Sequence, residues 1–248
     1  MNKDALYVVL PCYNEEDNIE KLIKAWNIEE RQLYEKGLLL KLIVIDDGSI
    51  DSTLNIVERL KKSYDNITIL KHKKNRGLGE AMNTGIGYAV AQEKKGYLCV
   101  MDSDMTHEPH YIFSMIDKLK KEKLYCVIAS RYRKGSRIEG LSLCRKLLSY
   151  GARIVYTLTL RIPNVRDYTC GYRLYTLESL RILSEKHRGK LVNEKGFACM
   201  MELLVKINNE GLKIAEVPFV LKYQLKGGVS KMNVWRTVCR SLILLARL

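Results

Sequence analysis

Residues 97–104 read Tyr-Leu-Cys-Val-Met-Asp-Ser-Asp, an apolar run that ends in two carboxylates. The run predicts a buried strand, Tyr97–Met101, and the polar residues mark the point where the strand leaves its sheet. Two carboxylates so close together repel each other unless a positive charge lies beside them. Mg²⁺ or Mn²⁺ bridging substrate phosphates is such a charge. The alternative is a solvated acidic turn, and this stretch alone leaves both interpretations open.

Apolar runs alternate with amphipathic stretches along the whole first half of the chain. This β-α-β-α alternation predicts an α/β fold with a mostly parallel sheet covered by helices on both faces. Ligands of such sheets bind at the carboxyl ends of the strands, where the polar clusters of this chain fall. The further predicted strands are Leu6–Leu10, Leu40–Ile45, Ile67–Leu70 and Tyr125–Ala129, and the predicted helices are 15–27, 51–64, 78–92 and 109–121.

The pattern changes after Arg131, but no linker, repeat or low-complexity segment interrupts the chain. We therefore predict a single domain over residues 1–232, made of the halves 1–124 and 125–232, followed by a helix at 233–248. The second half is predicted to contain a basic loop at 131–140, helices at 141–161 and 196–210, a polar loop at 163–173, and one or two short strands within 212–223.

The charge of the protein is concentrated in the second half. The chain of 248 residues holds 42 Lys and Arg against 28 Asp and Glu, a net charge of +14. Counted on the sequence, residues 1–124 carry 19 basic and 20 acidic side chains, and residues 125–248 carry 23 and 8. A field of this sign favours phosphates, anionic lipid head groups or nucleic acid as partners. Seven scattered cysteines without zinc spacing favour reduced thiols in a cytoplasmic protein.

A second acidic cluster, Asp46-Asp47-Gly48-Ser49, follows the predicted strand Leu40–Ile45. A carboxylate of this cluster accepts hydrogen bonds from a nucleobase or ribose, or the segment serves only to cap the next helix through Ser49 or Asp51. Further along, Gly77-Leu78-Gly79 begins like a dinucleotide-binding loop, but Met82 stands where the third glycine would be required. A helix that begins after Arg76 is still suited to a nucleotide phosphate.

Four motifs in this order resemble the family 2 glycosyltransferases: Leu10–Glu15, Asp46–Ser49, Asn75–Gly79 and the Asp-x-Asp of residues 102–104. The resemblance implies the GT-A fold, a Rossmann-like domain that binds a nucleotide-sugar, with the half 1–124 on the donor side. It implies Mg²⁺ or Mn²⁺ as the cofactor, held by Asp102 and Asp104. The residues that it assigns to the nucleotide-sugar are Pro11, Tyr13, Glu15, Asp46, Asp47, Arg76, Gly77 and Asp102.

The second half is similar to the dolichol-phosphate mannose synthase group. The similarity lies in Ser130–Tyr132, Cys144–Ser149, Asp167–Arg173 and Ser230–Met232. It implies transfer of a hexose, with inversion, from a UDP- or GDP-sugar to a polyprenyl phosphate such as a dolichyl or undecaprenyl phosphate. The resemblance leaves open which nucleobase, which sugar and which polyprenol the substrates contain. The catalytic residues that we expect are Asp104, Arg131, Arg145 and Lys231, and Arg173 and Ser230 are further candidates for the acceptor phosphate.

Other functions remain to be weighed. A glycan or other soluble acceptor would require a general base, for which Asp167, Glu194 and Glu202 are the candidates. The family often has Gln where this chain has Thr106, a shorter and weaker metal ligand, and an inactive relative would also fit that change. A basic nucleic-acid-binding protein would explain the charge but not the paired aspartates, and no binding motif is present. We therefore expect no nucleic-acid partner.

The predicted last helix is basic and amphipathic. Arg236, Arg240 and Arg247 fall on one side of a helical wheel, and Trp235 falls on the opposite side with Leu and Val residues. This pattern is typical of a helix that lies on a membrane surface, although packing on the core of the protein would produce it too. We expect peripheral attachment through 233–248 at the cytoplasmic face of a membrane. An oligomer or a membrane-spanning partner is left open.

Overall fold

The computed structural model describes residues 3–225 and Arg240, without the side chain of Cys144. The predicted helix 233–248 lies outside the described residues apart from Arg240, and so do Ser230 and Lys231. In the described part of the chain, strands and helices alternate from the first strand onward. The strands are β1 Asp4–Cys12, β2 Leu38–Asp46, β3 Ile67–Lys71, β4 Tyr97–Val100, β5 Cys126–Ser130, β6 Arg137–Glu139, β7 Arg173–Thr176, β8 Ile214–Pro218 and β9 Val220–Lys222. The helices are α1 Ile19–Glu35, α2 Thr53–Lys61, α3 Leu78–Gln92, α4 Tyr111–Glu122, α5 Leu143–Leu160, α6 Leu177–Lys186 and α7 Cys199–Asn209, and a 3₁₀ turn covers Tyr223–Leu225.

Within these residues, seven strands form one sheet in the order β3-β2-β1-β4-β7-β5-β8, and β6 pairs with β9 in a small second sheet. Strands β1, β2, β3 and β4 run parallel, as do β5 and β8. The predicted α/β fold with a mostly parallel sheet is confirmed. Because β1 pairs with β2 in a register that sets Cys12 beside Asp46, the polar ends of the first strands meet at one edge of the sheet.

Helices cover the sheet through close apolar contacts. The buried Trp26 of α1 donates its indole N–H to Sδ of Met101, which directly follows β4. Helix α3 approaches β1 at Gly85, where an added Cβ would stand 2.6 Å from Cγ1 of Val9. A side chain at position 85 would therefore push the helix away from the sheet. The contact at Gly85 holds the middle of α3 close against β1 and β2.

The structure departs from the predicted polar loop 163–173 at its end. Arg173 begins strand β7, which lies antiparallel between β4 and β5, and α6 follows at once. A strand that starts with a fully buried arginine does not show the apolar run that marks the other strands. In the described part of the chain, we find no helix with the length and apolar character needed to cross a membrane.

Candidate active site

A cleft of about 380 Å³ opens at the carboxyl ends of the strands, between the two halves of the chain. Its walls are formed by the end of β1 and the segment after it, the start of α3, the Asp-x-Asp turn, residues 168–171 and the inner side of α5. The structure therefore brings most of the predicted residues to one place. Those that line the cleft are Pro11, Tyr13, Glu15, Asp47, Gly77, Asp102, Asp104, Arg131 and Arg145.

Thr106 orients the carboxylate of Asp104. Oδ1 of Asp104 accepts a hydrogen bond from the Thr106 hydroxyl at 2.6 Å and another from the Thr106 backbone N–H at 3.2 Å. The side chain that replaces the glutamine frequent in the family is buried and bonded to the carboxylate. Thr106 thus holds one oxygen of Asp104 in a fixed direction.

Asp102 is held between a glycine and a histidine. A Cβ added to Gly171 would stand 2.6 Å from Oδ1 of Asp102, so only a glycine fits against this carboxylate. Nδ1 of His107 lies 3.9 Å from Oδ2 of Asp102, and the ring of His107 packs between Tyr172 and Phe219. His107 is therefore a buried neighbour of the acidic pair and not a surface residue.

The acidic pair fits a divalent cation of the magnesium or manganese type. The Asp102 side chain is 29% exposed, and both carboxylates line the cleft. Among the described residues, no group of three or more His, Cys, Asp or Glu side chains is arranged to hold a metal ion. Mg²⁺ and Mn²⁺ accept one or two protein carboxylates and take their remaining ligands from water and substrate phosphates. The two carboxylates are hard oxygen ligands, and they leave the remaining coordination positions to water and substrate, as that mode of binding requires.

Asp47 fixes the loop that leads into α3. Its two carboxylate oxygens accept hydrogen bonds from the backbone N–H groups of Arg76, at 2.9 Å, and Gly77, at 2.8 Å. His72 Nδ1 lies 2.6 Å from Oδ1 of Asp47, and Gly77 adopts φ +93°, a left-handed conformation that glycine tolerates best. Asp47 therefore determines the shape of the cleft wall at the beginning of the helix.

Two residues predicted to bind the nucleotide-sugar do not line the cleft. Asp46 is buried and accepts a hydrogen bond from the backbone N–H of Ser49. The Arg76 side chain is exposed and pairs with Glu80 one turn further along the chain. Asp46 therefore closes a turn and Arg76 forms a surface ion pair, and neither side chain lines the cleft.

Arg131 lines the cleft, but a buried carboxylate already compensates its charge. Its Nη2 lies 2.6 Å from Oδ1 of Asp167, its Nε lies 2.8 Å from Oδ2, and Nη2 also donates to Thr169. Burial alone would raise the pKa of Asp167, but the charge and hydrogen bonds of Arg131 outweigh it and lower that pKa. Asp167 is thus a fully buried, ionised partner of Arg131, and this position does not suit a general base.

Glu202, the second candidate for a general base, is also bonded to other groups of the protein. It accepts hydrogen bonds from the backbone N–H groups of Asn193 and Glu194 and pairs with Lys206. These bonds tie the segment before Phe197, which lines the cleft, to α7, and the side chain of Asn83 on α3 donates to the carbonyl of Val192 in the same region. The third candidate, Glu194, packs its backbone against the beginning of α3. A Cβ added to Gly79 would stand 1.9 Å from the carbonyl oxygen of Glu194.

The structure contradicts the phosphate role predicted for Arg173. Its side chain is 0% exposed, and its guanidinium donates to the backbone carbonyls of Tyr168, Cys170 and Met200. A guanidinium enclosed in this way cannot reach a substrate. Its physical role is to satisfy carbonyls of the loop 168–170, which precedes Gly171.

Sequence reasoning missed several residues of the acceptor side. Arg153, Tyr156 and Ala152 of α5 line the cleft together with Tyr132 and Tyr168. The available signal was helical spacing, because Arg145, Ser149 and Arg153 recur every four residues on one side of the predicted helix 141–161.

Comparisons with known proteins identify the family of this chain. The family model described as "Glycosyl transferase family 2" matches residues 7–182. A dolichol-phosphate mannosyltransferase of Pyrococcus furiosus is 30% identical over 221 residues, which are 89% of this chain and 57% of that protein. This chain therefore spans less than two thirds of the Pyrococcus protein. An uncharacterized protein of Methanocaldococcus jannaschii is 27% identical over 223 residues, which are 90% of this chain and 84% of that protein.

Solved structures share the fold. Glucosyl-3-phosphoglycerate synthase from Mycobacterium tuberculosis, in complex with Mn²⁺, UDP and glucosyl-3-phosphoglycerate, superposes with a TM-score of 0.65 at 19% identity and covers 99% of this chain and 81% of its own. A mannosyltransferase from Pyrobaculum calidifontis, in complex with GDP-Man and Mn²⁺, superposes with a TM-score of 0.62 at 18% identity, over 98% of this chain and 63% of its own. At these identities the likeness establishes the GT-A fold.

Proposed function

This chain belongs to glycosyl transferase family 2, and from that membership we propose that it transfers a hexose from a UDP- or GDP-sugar to a polyprenyl phosphate. The transfer inverts the anomeric configuration and takes place at the cytoplasmic face of a membrane. The similarity to a dolichol-phosphate mannosyltransferase supports a polyprenyl phosphate as the acceptor. The two solved relatives described as bound to UDP or GDP-Man support a nucleotide-sugar as the donor.

The observation that carries the lipid part of the proposal is the two-sided character of helix α5. Its inner side contributes Arg145, Ala152 and Tyr156 to the cleft. Its outer side exposes large apolar side chains to solvent: Leu143 is 74% exposed, Leu147 67% and Leu158 66%. An acceptor that has a phosphate head and a long apolar tail matches a helix of this kind.

The reaction needs no strong base on the protein. A phosphate monoester is largely a dianion at pH 7, because its second pKa is about 6. One of its oxygens attacks the anomeric carbon and forms the new C–O bond, while the bond to the donor diphosphate breaks and the nucleoside diphosphate leaves with the electron pair. This agrees with a site in which Asp167 and Glu202 are committed to other partners.

Positive charge is what the protein must supply. Two anionic substrates approach each other, and charge collects on the departing diphosphate. Asp102 and Asp104 would hold the divalent cation, which neutralises the leaving diphosphate when bound. Arg145 reaches the cleft from α5, with its guanidinium donating to the hydroxyl of Tyr223. Arg131 also lines the cleft, with its charge balanced by Asp167.

Further features agree with a reducing compartment and a membrane surface. The buried cysteines 12, 99, 126, 170 and 199 are free thiols, as expected in the cytoplasm. The basic second half would be attracted to anionic lipids. We propose that the outer side of α5 and the segment 233–248 are the parts that contact the membrane.

The test is release of the nucleoside diphosphate. Purified protein is given a panel of UDP- and GDP-sugars with Mn²⁺ or Mg²⁺, with a polyprenyl phosphate, with soluble phosphate monoesters, or with no acceptor. We expect release that depends on the lipid phosphate and is lost in Asp104→Ala. The matched control is Asp117→Ala. It removes an exposed aspartate of α4 that pairs with Lys36 at the end of α1.

The acceptor panel separates the proposal from its alternative. Release with a soluble phosphate monoester or a glycan, and none with the lipid, would contradict the polyprenyl phosphate and leave the family assignment intact. No release with any donor and acceptor would contradict the transferase proposal as a whole.

A further inference from the structure

Helix α5 turns a second arginine, Arg153, toward the cleft. Arg153 is partly buried and lies two helical turns after Arg145, or about 12 Å along the axis. Its guanidinium carbon lies 5.0 Å from the centre of the Tyr132 ring and 5.1 Å from the centre of the Tyr150 ring. Contact with two aromatic rings at this distance restricts the guanidinium to a small region of the cleft wall.

The ring that supports Arg153 is itself fixed. The hydroxyl of Tyr132 lies 2.6 Å from Oγ of Ser149 and 3.2 Å from its carbonyl oxygen, and Ser149 is one turn before Arg153 on the same helix. Burial raises the pKa of Tyr132, so its phenol stays neutral at pH 7 and does not compensate the charge of the arginine. Arg153 is therefore positioned in advance of ligand binding.

The charge of Arg153 differs in kind from that of its neighbours. Arg131 pairs with Asp167, and Arg133 pairs with Glu216. Within residues 3–225, by contrast, no carboxylate forms an ion pair with Arg145 or Arg153. A fixed cation in a cleft without a carboxylate partner favours an anionic ligand, and a guanidinium is suited to two-point contact with a phosphate.

We propose that Arg153 determines acceptor specificity by binding the phosphate of the acceptor on the α5 side of the cleft. This inference rests on the proposed function, because it assigns the anion at Arg153 to the acceptor and leaves the donor diphosphate at the Asp102–Asp104 side. The shape of the cleft supports the division, since Ala152 and Tyr156 continue the wall from Arg153 with apolar surface. A phosphate at Arg153 would have its prenyl chain beside that surface.

The test compares three variants in the lipid-dependent transfer assay. Arg153→Gln removes the positive charge, and Arg153→Lys keeps the charge but not the planar guanidinium. The control, Lys146→Gln, removes one positive charge from the same helix at a position outside the cleft. We expect Arg153→Gln to raise the KM for the polyprenyl phosphate at least tenfold. A change of about tenfold corresponds to the loss of one charge-assisted hydrogen bond. Arg153→Lys should recover part of that loss. The KM for the nucleotide-sugar and the thermal midpoint should be unchanged in all three.

A second measurement separates the inference from the function on which it rests. Binding of a short-chain prenyl phosphate is titrated calorimetrically, with UDP or GDP present, to the wild-type protein and to the same variants. Equal acceptor KM and equal binding in Arg153→Gln and Lys146→Gln would overturn the role of Arg153 while the wild-type enzyme still transfers sugar. A wild-type protein that neither transfers to nor binds the lipid phosphate would overturn the proposed acceptor, and the inference with it. A raised KM for the donor alone would assign Arg153 to the nucleotide-sugar and contradict the inference.

Discussion

Gly171 lies against the carboxylate of Asp102, and a Cβ at position 171 would stand 2.6 Å from Oδ1 and 3.1 Å from Cγ. Two distant parts of the chain meet at this contact: the turn after β4 and the loop that precedes β7. The same loop is tied from behind by the buried guanidinium of Arg173 and accepts the side chain of Arg131 at Thr169. The position of the acidic pair thus depends on the second half of the chain as much as on its own strand.

Gly171→Ala should therefore displace Asp102. We expect loss of Mn²⁺ binding and of sugar transfer, since the added methyl group and the carboxylate cannot occupy the same space. Mn²⁺ binding is measured by electron paramagnetic resonance and the fold by circular dichroism. Gly87→Ala is the control, because position 87 lies within α3 with open space around it, where alanine should stabilise the helix by about 0.5–1 kcal/mol. Unchanged Mn²⁺ affinity in Gly171→Ala would show that Asp102 does not bind the cation.

Arg173→Met should lower stability without a specific effect on the acceptor. The substitution leaves three buried carbonyls without their donor, which we expect to cost about 3 kcal/mol or more of unfolding free energy. Urea unfolding measures the loss. Arg31→Met serves for comparison, since that arginine is exposed and pairs with Glu35 on the surface, where ion pairs contribute about 1 kcal/mol or less. A normal unfolding curve together with a raised acceptor KM would restore the phosphate role that the structure contradicts.

Sequence patterns predicted the first half of the fold well, because β1, β2 and β4 are largely buried and appear as continuous apolar runs. Strand β7 escaped detection for a physical reason. It has four residues and begins with a buried arginine whose guanidinium donates to three carbonyls, one of which, that of Met200, lies 27 residues away in the sequence. The hydrophobic periodicity of neighbouring residues does not reveal a partner that is so distant in the sequence.

The candidate site was predicted in the same uneven way. Asp102 and Asp104 follow a strong strand signal, and both line the cleft. The side chains of Asp46 and Arg76 carry the right chemistry, but the structure directs them to a turn and to the surface. Arg153 was missed because its role depends on two tyrosine rings, one of which comes from a loop before the helix.

The pH dependence of stability should reveal Glu202. Burial would raise its pKa, but the N–H groups of Glu194 and Asn193 and the ammonium of Lys206 lower it below the ordinary value. The ionised carboxylate thus stabilises the folded chain above the ordinary glutamate pKa, and this contribution is lost as the pH falls through the lower folded-state pKa.

Glu202→Gln should cost about 1–3 kcal/mol of unfolding free energy at pH 7, and the difference from wild type should shrink below about pH 4. Denaturant unfolding at a series of pH values measures it. Glu185→Gln, at an exposed position on α6, should follow the wild-type curve. A constant difference between Glu202→Gln and wild type at all pH values would mean that the carboxylate charge is not involved.

Membrane contact through α5 predicts a specific loss of lipid binding. The double substitution Leu147→Glu with Leu158→Glu places negative charge on two exposed positions of the outer side. We expect weaker binding to vesicles that contain anionic lipid, measured by co-sedimentation, and no loss of stability because neither side chain is packed. Ile50→Glu is the matched control, at an 87% exposed position before α2. Equal sedimentation of both variants would place the contact elsewhere.

Thr106→Val tests whether orientation of Asp104 controls the cation. Valine keeps the size and branching of threonine but removes the hydroxyl that lies 2.6 Å from Oδ1 of Asp104. Groups that orient a metal ligand commonly contribute about 10- to 100-fold to metal affinity. We expect the Mn²⁺ concentration for half-maximal transfer to rise by about tenfold or more, with little change in kcat at saturating Mn²⁺. Thr159→Val removes a hydroxyl that bonds to the carbonyl of Val155 on α5 and should leave the Mn²⁺ dependence unchanged. If the two variants require the same Mn²⁺ concentration, Thr106 only closes the turn, and the cation must be oriented by Asp102 and its neighbours.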